Sequence, residues 1–191
     1  MILRVLMVCT GNICRSTMAQ EVLAEEASAA ALDVLVDSAG ISDEEHGNPI
    51  DPRAARVLRE AGHRVPDHRA RQVSAAELDS WDLVLAMTRQ HLRALERLAE
   101  RVGVEVIPDA PGGERGVVDL RMYRSYDPLL GAAGSTGDAA AHPSRDIPAD
   151  WDVPDPWYGG HEDFVETLQV IERVSPALVD HLRDLRDGPR P

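Results

Sequence analysis

The stretch LRVLMVCTGNICRSTMAQEVL (residues 3–23) contains two patterns of different period. Residues 3–8 are a largely apolar, partly β-branched run, which is typical of a strand buried in a parallel sheet. From residue 16 to residue 32, Met18, Val22 and Leu23 recur at helical spacing among Ala and Glu, which predicts a helix. The octet CTGNICRS at residues 9–16 is therefore predicted to be a tight loop that joins a strand to a helix.

The rest of the chain repeats this alternation of strands and helices. Further short apolar runs predict strands at residues 34–36, 83–87 and 104–107. Asp51 as a cap with Pro52 at the first helical position predicts a helix at residues 51–62, and a further helix is predicted at residues 90–102. An apolar stripe from Phe164 to Leu185 predicts a final helix that packs on the core. This order predicts a doubly wound α/β fold with a four-stranded parallel sheet flanked by helices.

The length of 191 residues predicts a single domain, residues 1–191. Residues 129–154 are rich in Gly, Ala, Pro and Asp and lack periodicity. This composition predicts an irregular insertion rather than another strand or helix.

The composition excludes several classes of protein. A net charge of −13 argues against nucleic-acid binding, which requires a basic surface. The apolar start is too short for a signal peptide and no stretch approaches membrane-spanning length, so we expect a cytoplasmic protein without a membrane partner, although export without a signal peptide stays open. Two cysteines form no disulfide framework and rarely a structural zinc site, which favours a reducing compartment, no metal and no cofactor.

The loop between the first strand and the first helix has the chemistry of an anion site. Its successive backbone N–H groups can converge on one point, and the positive end of the following helix is directed at the same point, so a phosphoryl group fits there. The same field favours the thiolate form of Cys9, which makes it a nucleophile. Arg15 at the far end can place its planar guanidinium against two phosphate oxygens.

The octet resembles the active-site loop of the low-molecular-weight protein tyrosine phosphatases, and the resemblance covers nearly the whole chain. Four further motifs of that family stand in the same order: DSAG at residues 37–40, DPRA at 51–54, HRARQ at 68–72 and DPWYG at 155–159. The resemblance implies hydrolysis of phosphotyrosine and small aryl phosphates through a cysteinyl-phosphate intermediate. It also implies a phosphate-binding loop after the first strand and a tyrosine-phosphorylated protein as the partner of a monomer or weak dimer.

The resemblance assigns a role to each matching residue. Cys9 is the expected nucleophile, Arg15 the phosphate clamp and Asp155 the acid that protonates the leaving tyrosyl oxygen and then activates water. Ser38 and His68 are expected to support Asn12 and hold the loop in shape. The expected substrate-binding residues are those of the loop and two aromatic residues beside the acid: Thr10, Gly11, Asn12, Ile13, Cys14, Ser16, Trp157 and Tyr158.

The sequence departs from the family at two positions. Glu44 stands where many members carry an aromatic residue, so we expect a preference for neutral or basic sequences around the phosphotyrosine. Thr88 replaces an Asp that commonly follows the Met of the third strand.

Three other functions can be weighed from the sequence. An arsenate reductase of the same fold needs a further cysteine pair, which this chain lacks. A phosphoarginine phosphatase typically has Thr at the position of Ile13, whose larger apolar side chain favours an aryl ester. A silent phosphotyrosine-binding module is expected to lose Cys9 or Asp155, and both are present.

Overall fold

The computed structural model describes residues 2–108, 115–130 and 147–187 of the chain. The strands in these ranges are β1 (Leu3–Cys9), β2 (Val34–Gly40), β3 (Leu83–Ala86), β4 (Glu105–Val106) and β5 (Val117–Met122). The α-helices are α1 (Arg15–Ala29), α2 (Pro52–Glu60), α3 (Arg89–Val102) and α4 (His161–Asp187). Short 3₁₀ turns lie at Ala75–Ser80, Tyr123–Tyr126, Pro128–Leu130 and Ala149–Trp151.

The strands form a parallel sheet in the order β2-β1-β3-β5-β4. The chain passes from β1 to β2 on one side and then to β3 on the other side of β1. The carboxyl end of β1 therefore lies at the point where the strand order reverses, which is where open α/β sheets bind their ligands. The predicted doubly wound α/β fold is confirmed.

Alternate residues of β1 pack into two separate cores. Val5 and Met7 face a core built with α1, α2 and α4, whereas Leu6 and Val8 face a core built with α3 and β5. All four side chains are fully buried. Because both faces of the strand are covered, its sequence is apolar without alternation.

Two helices show the features that their sequences predict, a capped start in α2 and a buried apolar stripe in α4. Asp51 caps α2 by accepting a hydrogen bond from the backbone N–H of Arg53 at 2.7 Å, and Pro52 occupies the first helical position. The apolar stripe of α4 is buried, as its spacing predicts. No helix within the described ranges is long and apolar enough to cross a membrane.

The sheet has five strands, not the predicted four, because the sequence pattern did not reveal β5. This strand carries Asp119 and Arg121, which look incompatible with a strand covered on both faces. In the fold the two side chains lie on the same side of the strand, and Arg121 Nε donates to Asp119 Oδ1 at 2.9 Å. Pairing compensates for the burial of both charges, and so β5 can occupy the interior of the sheet.

The predicted insertion at residues 129–154 falls largely outside the described residues, because residues 131–146 are not among them. Its last part is described and is well packed. Ile147 and Trp151 join the core on the α3 side, and Val153 joins the core on the α4 side. The single-domain organisation with an irregular insertion stays a prediction.

A partly buried histidine connects α1 to α4. Nδ1 of His63 lies 2.6 Å from Glu25 Oε2, and Nε2 lies 3.1 Å from Glu172 Oε1. Burial lowers the pKa of His63, but the hydrogen bonds to the two glutamates outweigh it and raise the pKa above 6.5. Since ionised carboxylates only accept hydrogen bonds, the imidazolium form satisfies both contacts.

This bridge predicts that the stability of the fold depends on the protonation of His63. A raised folded-state pKa contributes stability that is complete below the unfolded-state value and is lost as pH rises through the folded-state value. We expect His63→Gln to lower the free energy of unfolding by about 1 kcal/mol near pH 6, and the deficit to shrink toward about pH 9. Urea unfolding followed by circular dichroism measures both values. His46→Gln, whose ion pair with Asp43 is exposed, is the control, and a deficit for His63→Gln that does not change with pH would contradict the assignment.

Candidate active site

The loop between β1 and α1 surrounds the sulfur of Cys9. The backbone N–H of Asn12 donates to Cys9 Sγ at 3.3 Å, and Ser16 Oγ lies 3.0 Å from the same sulfur. Helix α1 begins at Arg15, so its positive end is directed at the loop. The fold therefore surrounds Cys9 with groups that stabilise negative charge.

Asn12 determines the shape of this loop. Its backbone is in the left-handed region with φ of 60°, which Asn tolerates better than most residues. The fully buried side chain donates from Nδ2 to Ser38 Oγ at 2.8 Å and to Ser16 Oγ at 3.1 Å. Its Oδ1 accepts from the backbone N–H of Arg71 at 3.0 Å. The hydrogen bonds hold the strained residue in place.

The carbonyl group of Asn12 is also bonded from outside the loop. It accepts hydrogen bonds from His68 Nε2 at 2.5 Å and from Thr17 Oγ1 at 3.0 Å. Burial lowers the pKa of His68, so the neutral ring with its proton on Nε2 suits this contact. His68 therefore lies against the loop, as the resemblance to the family implies.

Strand β2 also contacts the loop, through Ser38. Ser38 Oγ donates in turn to Gln20 Oε1 of α1 at 2.6 Å. Gly40 lies so close that a Cβ at this position would come within 2.5 Å of the Thr10 carbonyl oxygen. Only glycine permits this approach without a shift of the backbone, which explains the glycine at the end of the DSAG motif.

His91 contacts the loop, although the sequence did not predict this contact. The buried ring lies 2.9 Å from Thr10 Oγ1 through Nε2 and 3.0 Å from Thr88 Oγ1 through Nδ1. Burial, with a smaller contribution from Arg15, lowers its pKa to about 3, so the ring is neutral. Thr88, at the position of the family's Asp, caps α3 and connects that helix to the loop through His91. A Thr-x-x-His pattern at a helix start is the one sequence signal of this link.

Arg15 and Asp155 meet above the loop. Arg15 Nη2 donates to Asp155 Oδ2 at 2.7 Å, and Asp155 Oδ1 accepts from the backbone N–H of Trp157 at 3.2 Å. The Arg15 side chain is 6 % exposed and that of Asp155 is 52 % exposed. The two residues are 140 positions apart in the chain and belong to one site.

A cavity of about 250 Å³ opens over Cys9. The lining includes the predicted nucleophile, clamp and acid, and most of the predicted substrate-binding residues. The residues that line the cavity are Cys9, Thr10, Gly11, Ile13, Cys14, Arg15, Glu44, Glu45, Asp155, Trp157 and Tyr158. Asn12, Ser16, Ser38 and His68 are buried and do not line the cavity. Glu45, which the sequence analysis did not select, stands beside Glu44 in the lining.

Two further observations bear on the chemistry of the site. Burial, reinforced by Asp51 and Cys9, raises the pKa of the Cys14 thiol, so this second cysteine stays protonated at neutral pH. Within the described part of the chain, no group of three or more His, Cys, Asp or Glu side chains is placed to hold a metal ion. Cys9, Arg15 and Asp155, the predicted nucleophile, clamp and acid, all line the cavity.

Comparison with known proteins gives consistent matches. The model of the family described as low molecular weight phosphotyrosine protein phosphatase matches residues 4–109. The chain is 39% identical over 187 residues to the low molecular weight protein-tyrosine-phosphatase of Streptomyces coelicolor, covering 97% of this chain and 96% of that protein. It is also 39% identical over 191 residues to low molecular weight protein-tyrosine phosphatase A of Mycobacterium tuberculosis, covering 98% and 97% of the two chains.

Solved structures share the fold. The crystal structure of YfkJ from Bacillus subtilis superposes with a TM-score of 0.72 at 27% identity, with 96% of each chain covered. The family model covers more than half of this chain, and the two sequence relatives cover nearly all of it. This chain therefore belongs to the low molecular weight phosphotyrosine protein phosphatase family.

Proposed function

We propose that this protein hydrolyses phosphotyrosine in protein substrates, and small aryl phosphates, through a phosphorylated Cys9. The observation that carries the proposal is the contact between Arg15 and Asp155 at the mouth of the cavity above Cys9. It brings a phosphate clamp and a proton donor to one point over a nucleophile. Ile13, Trp157 and Tyr158 add apolar surface to the cavity lining, which suits a phenyl ring.

Substrate binding uses the anion site of the loop. The backbone N–H groups and the start of α1 receive the phosphoryl oxygens, and Arg15 contacts two of them with its planar guanidinium. A phosphoryl dianion competes with Asp155 for Arg15. Its arrival releases the Asp155 carboxyl group from Arg15, so that this group is free to serve the ester oxygen as the general acid.

The first chemical step transfers the phosphoryl group to the enzyme. The Cys9 thiolate forms a bond to phosphorus while the bond from phosphorus to the tyrosyl oxygen breaks, and Asp155 gives that oxygen its proton. Arg15 and the loop N–H groups stabilise the charge on the equatorial oxygens.

The second step returns the enzyme to its starting state. The Asp155 carboxylate takes a proton from water, the resulting hydroxide attacks phosphorus, and the bond from sulfur to phosphorus breaks to release inorganic phosphate and the Cys9 thiolate. Ser16, at 3.0 Å from the sulfur, can donate a hydrogen bond to the departing thiolate. Asn12, Ser38 and His68 serve the reaction by holding the loop.

A substrate panel tests this function against the alternatives. We expect turnover of p-nitrophenyl phosphate and a phosphotyrosine peptide, and rates lower by about 100-fold or more on phosphoserine and phosphoarginine peptides, whose shapes do not fill the aromatic cavity. Cys9→Ser should abolish turnover because the nucleophile is lost. Phosphate release measures each rate, and a dominant activity on phosphoarginine, or an active Cys9→Ser, would refute the proposal.

The acid role of Asp155 predicts a dependence on the leaving group. Asp155→Asn should lower kcat by about 100-fold or more for phosphotyrosine, whose phenol needs a proton to leave, and by less for p-nitrophenyl phosphate, whose phenolate is a better leaving group. Steady-state kinetics on both substrates measures the ratio. A loss of equal size on the two substrates would mean that Asp155 has a structural role instead.

The carboxylates of the cavity predict a substrate preference. Glu44 and Glu45 line the side of a site in a protein that already carries a net charge of −13. We expect phosphotyrosine peptides with adjacent Arg to have a higher kcat/KM than peptides with adjacent Glu, and Glu44→Gln to reduce this ratio by about threefold at low salt.

The control for this preference is Asp43→Asn. Asp43 belongs to the same loop, does not line the cavity and pairs with His46 on the surface, so its replacement should leave the ratio unchanged. If Glu44→Gln and Asp43→Asn shift the ratio equally, net charge rather than the cavity wall sets the preference.

We further propose that the protein acts in the cytoplasm as a monomer or weak dimer, without a metal or other cofactor. The two cysteines, one of them a free nucleophile in this mechanism, support a reducing compartment.

A further inference from the structure

Arg53, in the first turn of α2, contacts both sides of the active site. Its Nε and Nη2 donate to the two oxygens of Asp51 at 3.1 and 2.9 Å. From the other branch of the guanidinium, Nη1 donates to the carbonyl oxygen of Trp157 at 3.1 Å. The guanidinium carbon also lies 4.6 Å from the ring centre of Phe164 and 5.5 Å from that of Trp157, within the range of cation–π attraction.

Asp51 connects Arg53 to the nucleophile loop, which is the loop of residues 9–16 between β1 and α1. The backbone N–H of Asp51 donates to the carbonyl oxygen of Ile13 at 2.8 Å. The Asp51 side chain is 7 % exposed, and its partner Arg53 keeps it ionised, since hydrogen bonds from Arg53 outweigh the effect of burial and lower the pKa of Asp51. Arg53 is therefore anchored, through Asp51, to the loop that contains Cys9.

Trp157 connects Arg53 to the general acid. Residues 155–158 form the tip of the acid loop, and Tyr158 and much of Asp155 face solvent. Within the described structure, two side-chain hydrogen bonds join this tip to other elements: Arg15 to Asp155 and Arg53 to Trp157. Pro156 is also buried. The N–H of Trp157 donates to Asp155 Oδ1 at 3.2 Å, so the residue whose carbonyl group Arg53 holds is itself bonded to the carboxyl group.

We propose that Arg53 is a positioning residue for the general acid, which it holds at the leaving oxygen by joining the acid loop to the nucleophile loop. This inference rests on the proposed acid role of Asp155. The need is greatest when substrate binds, because the phosphoryl group then takes Arg15 away from Asp155 and leaves Arg53 as the remaining polar anchor of the tip. Lysine cannot replace arginine here, because one ammonium group cannot bond both Asp51 oxygens and the Trp157 carbonyl in this geometry.

A double-mutant cycle with Asp155→Asn tests the proposal. Arg53→Met keeps a long unbranched side chain but removes the guanidinium. We expect it to lower kcat about tenfold for a phosphotyrosine peptide and about twofold or less for p-nitrophenyl phosphate, since only the first needs the acid. In the Asp155→Asn background, Arg53→Met should cause no further loss.

Two companion variants control the cycle. Arg56→Met removes an arginine from the same helix whose partner is the exposed Glu60, and it should leave both rates unchanged. Arg53→Lys keeps the positive charge beside Asp51, and therefore the fold, and should show the same leaving-group-dependent loss as Arg53→Met. If the methionine variant fails to fold, the lysine variant carries the cycle.

The outcomes separate this inference from the proposed function. Equal losses on both substrates, a full additional loss in the Asp155→Asn background, or a fully active Arg53→Lys would overturn the positioning role while leaving Asp155 as the acid. A leaving-group effect that is absent from Asp155→Asn itself would overturn the acid role and the inference together.

Discussion

A loop whose backbone N–H groups converge on one point keeps that shape only if its other polar groups are bonded from outside. In this protein, the burden falls on Asn12, whose backbone is left-handed and whose side chain is fully buried. Its amide and carbonyl groups bond Ser38 of β2, and His68 and the Arg71 backbone of the segment at residues 68–72. The sheet order places β2 directly beside β1, so these contacts exist only in the folded protein.

The same loop provides a local positive potential in a protein of negative net charge. A chain with a net charge of −13 repels dianions at long range, and two glutamates line the cavity itself. A buried Arg15 and the backbone dipoles at the start of α1 provide local attraction without a basic surface. Before substrate arrives, Asp155 neutralises Arg15 at 2.7 Å. In the proposed mechanism, the phosphoryl group of the substrate takes the place of this carboxylate on Arg15.

The sequence was sufficient where structure depends on local pattern. Residues 3–16 predicted the first strand, the loop and the helix start, and Asp51 with Pro52 predicted the cap of α2. It failed where charged residues occupy buried positions and where contacts are distant along the chain. Strand β5 was missed because Asp119 and Arg121 interrupt the apolar run that is typical of a buried strand, although the two side chains pair in the fold. His91 and Arg53 were missed because their contacts lie 81 and 104 positions away along the chain, a separation at which one sequence carries no pairing signal.

Covalent transfer of phosphate to Cys9 is the central step of the proposed mechanism, and trapping the phosphorylated intermediate tests it most directly. In Asp155→Asn, water activation in the second step is impaired, so phosphoenzyme should accumulate with p-nitrophenyl phosphate as substrate. Rapid acid quenching followed by peptide mass spectrometry should find one phosphoryl group on the peptide that contains Cys9, together with a stoichiometric burst of p-nitrophenol. Continued turnover without a burst and without a phosphorylated peptide, or a phosphoryl group on another residue, would contradict the account.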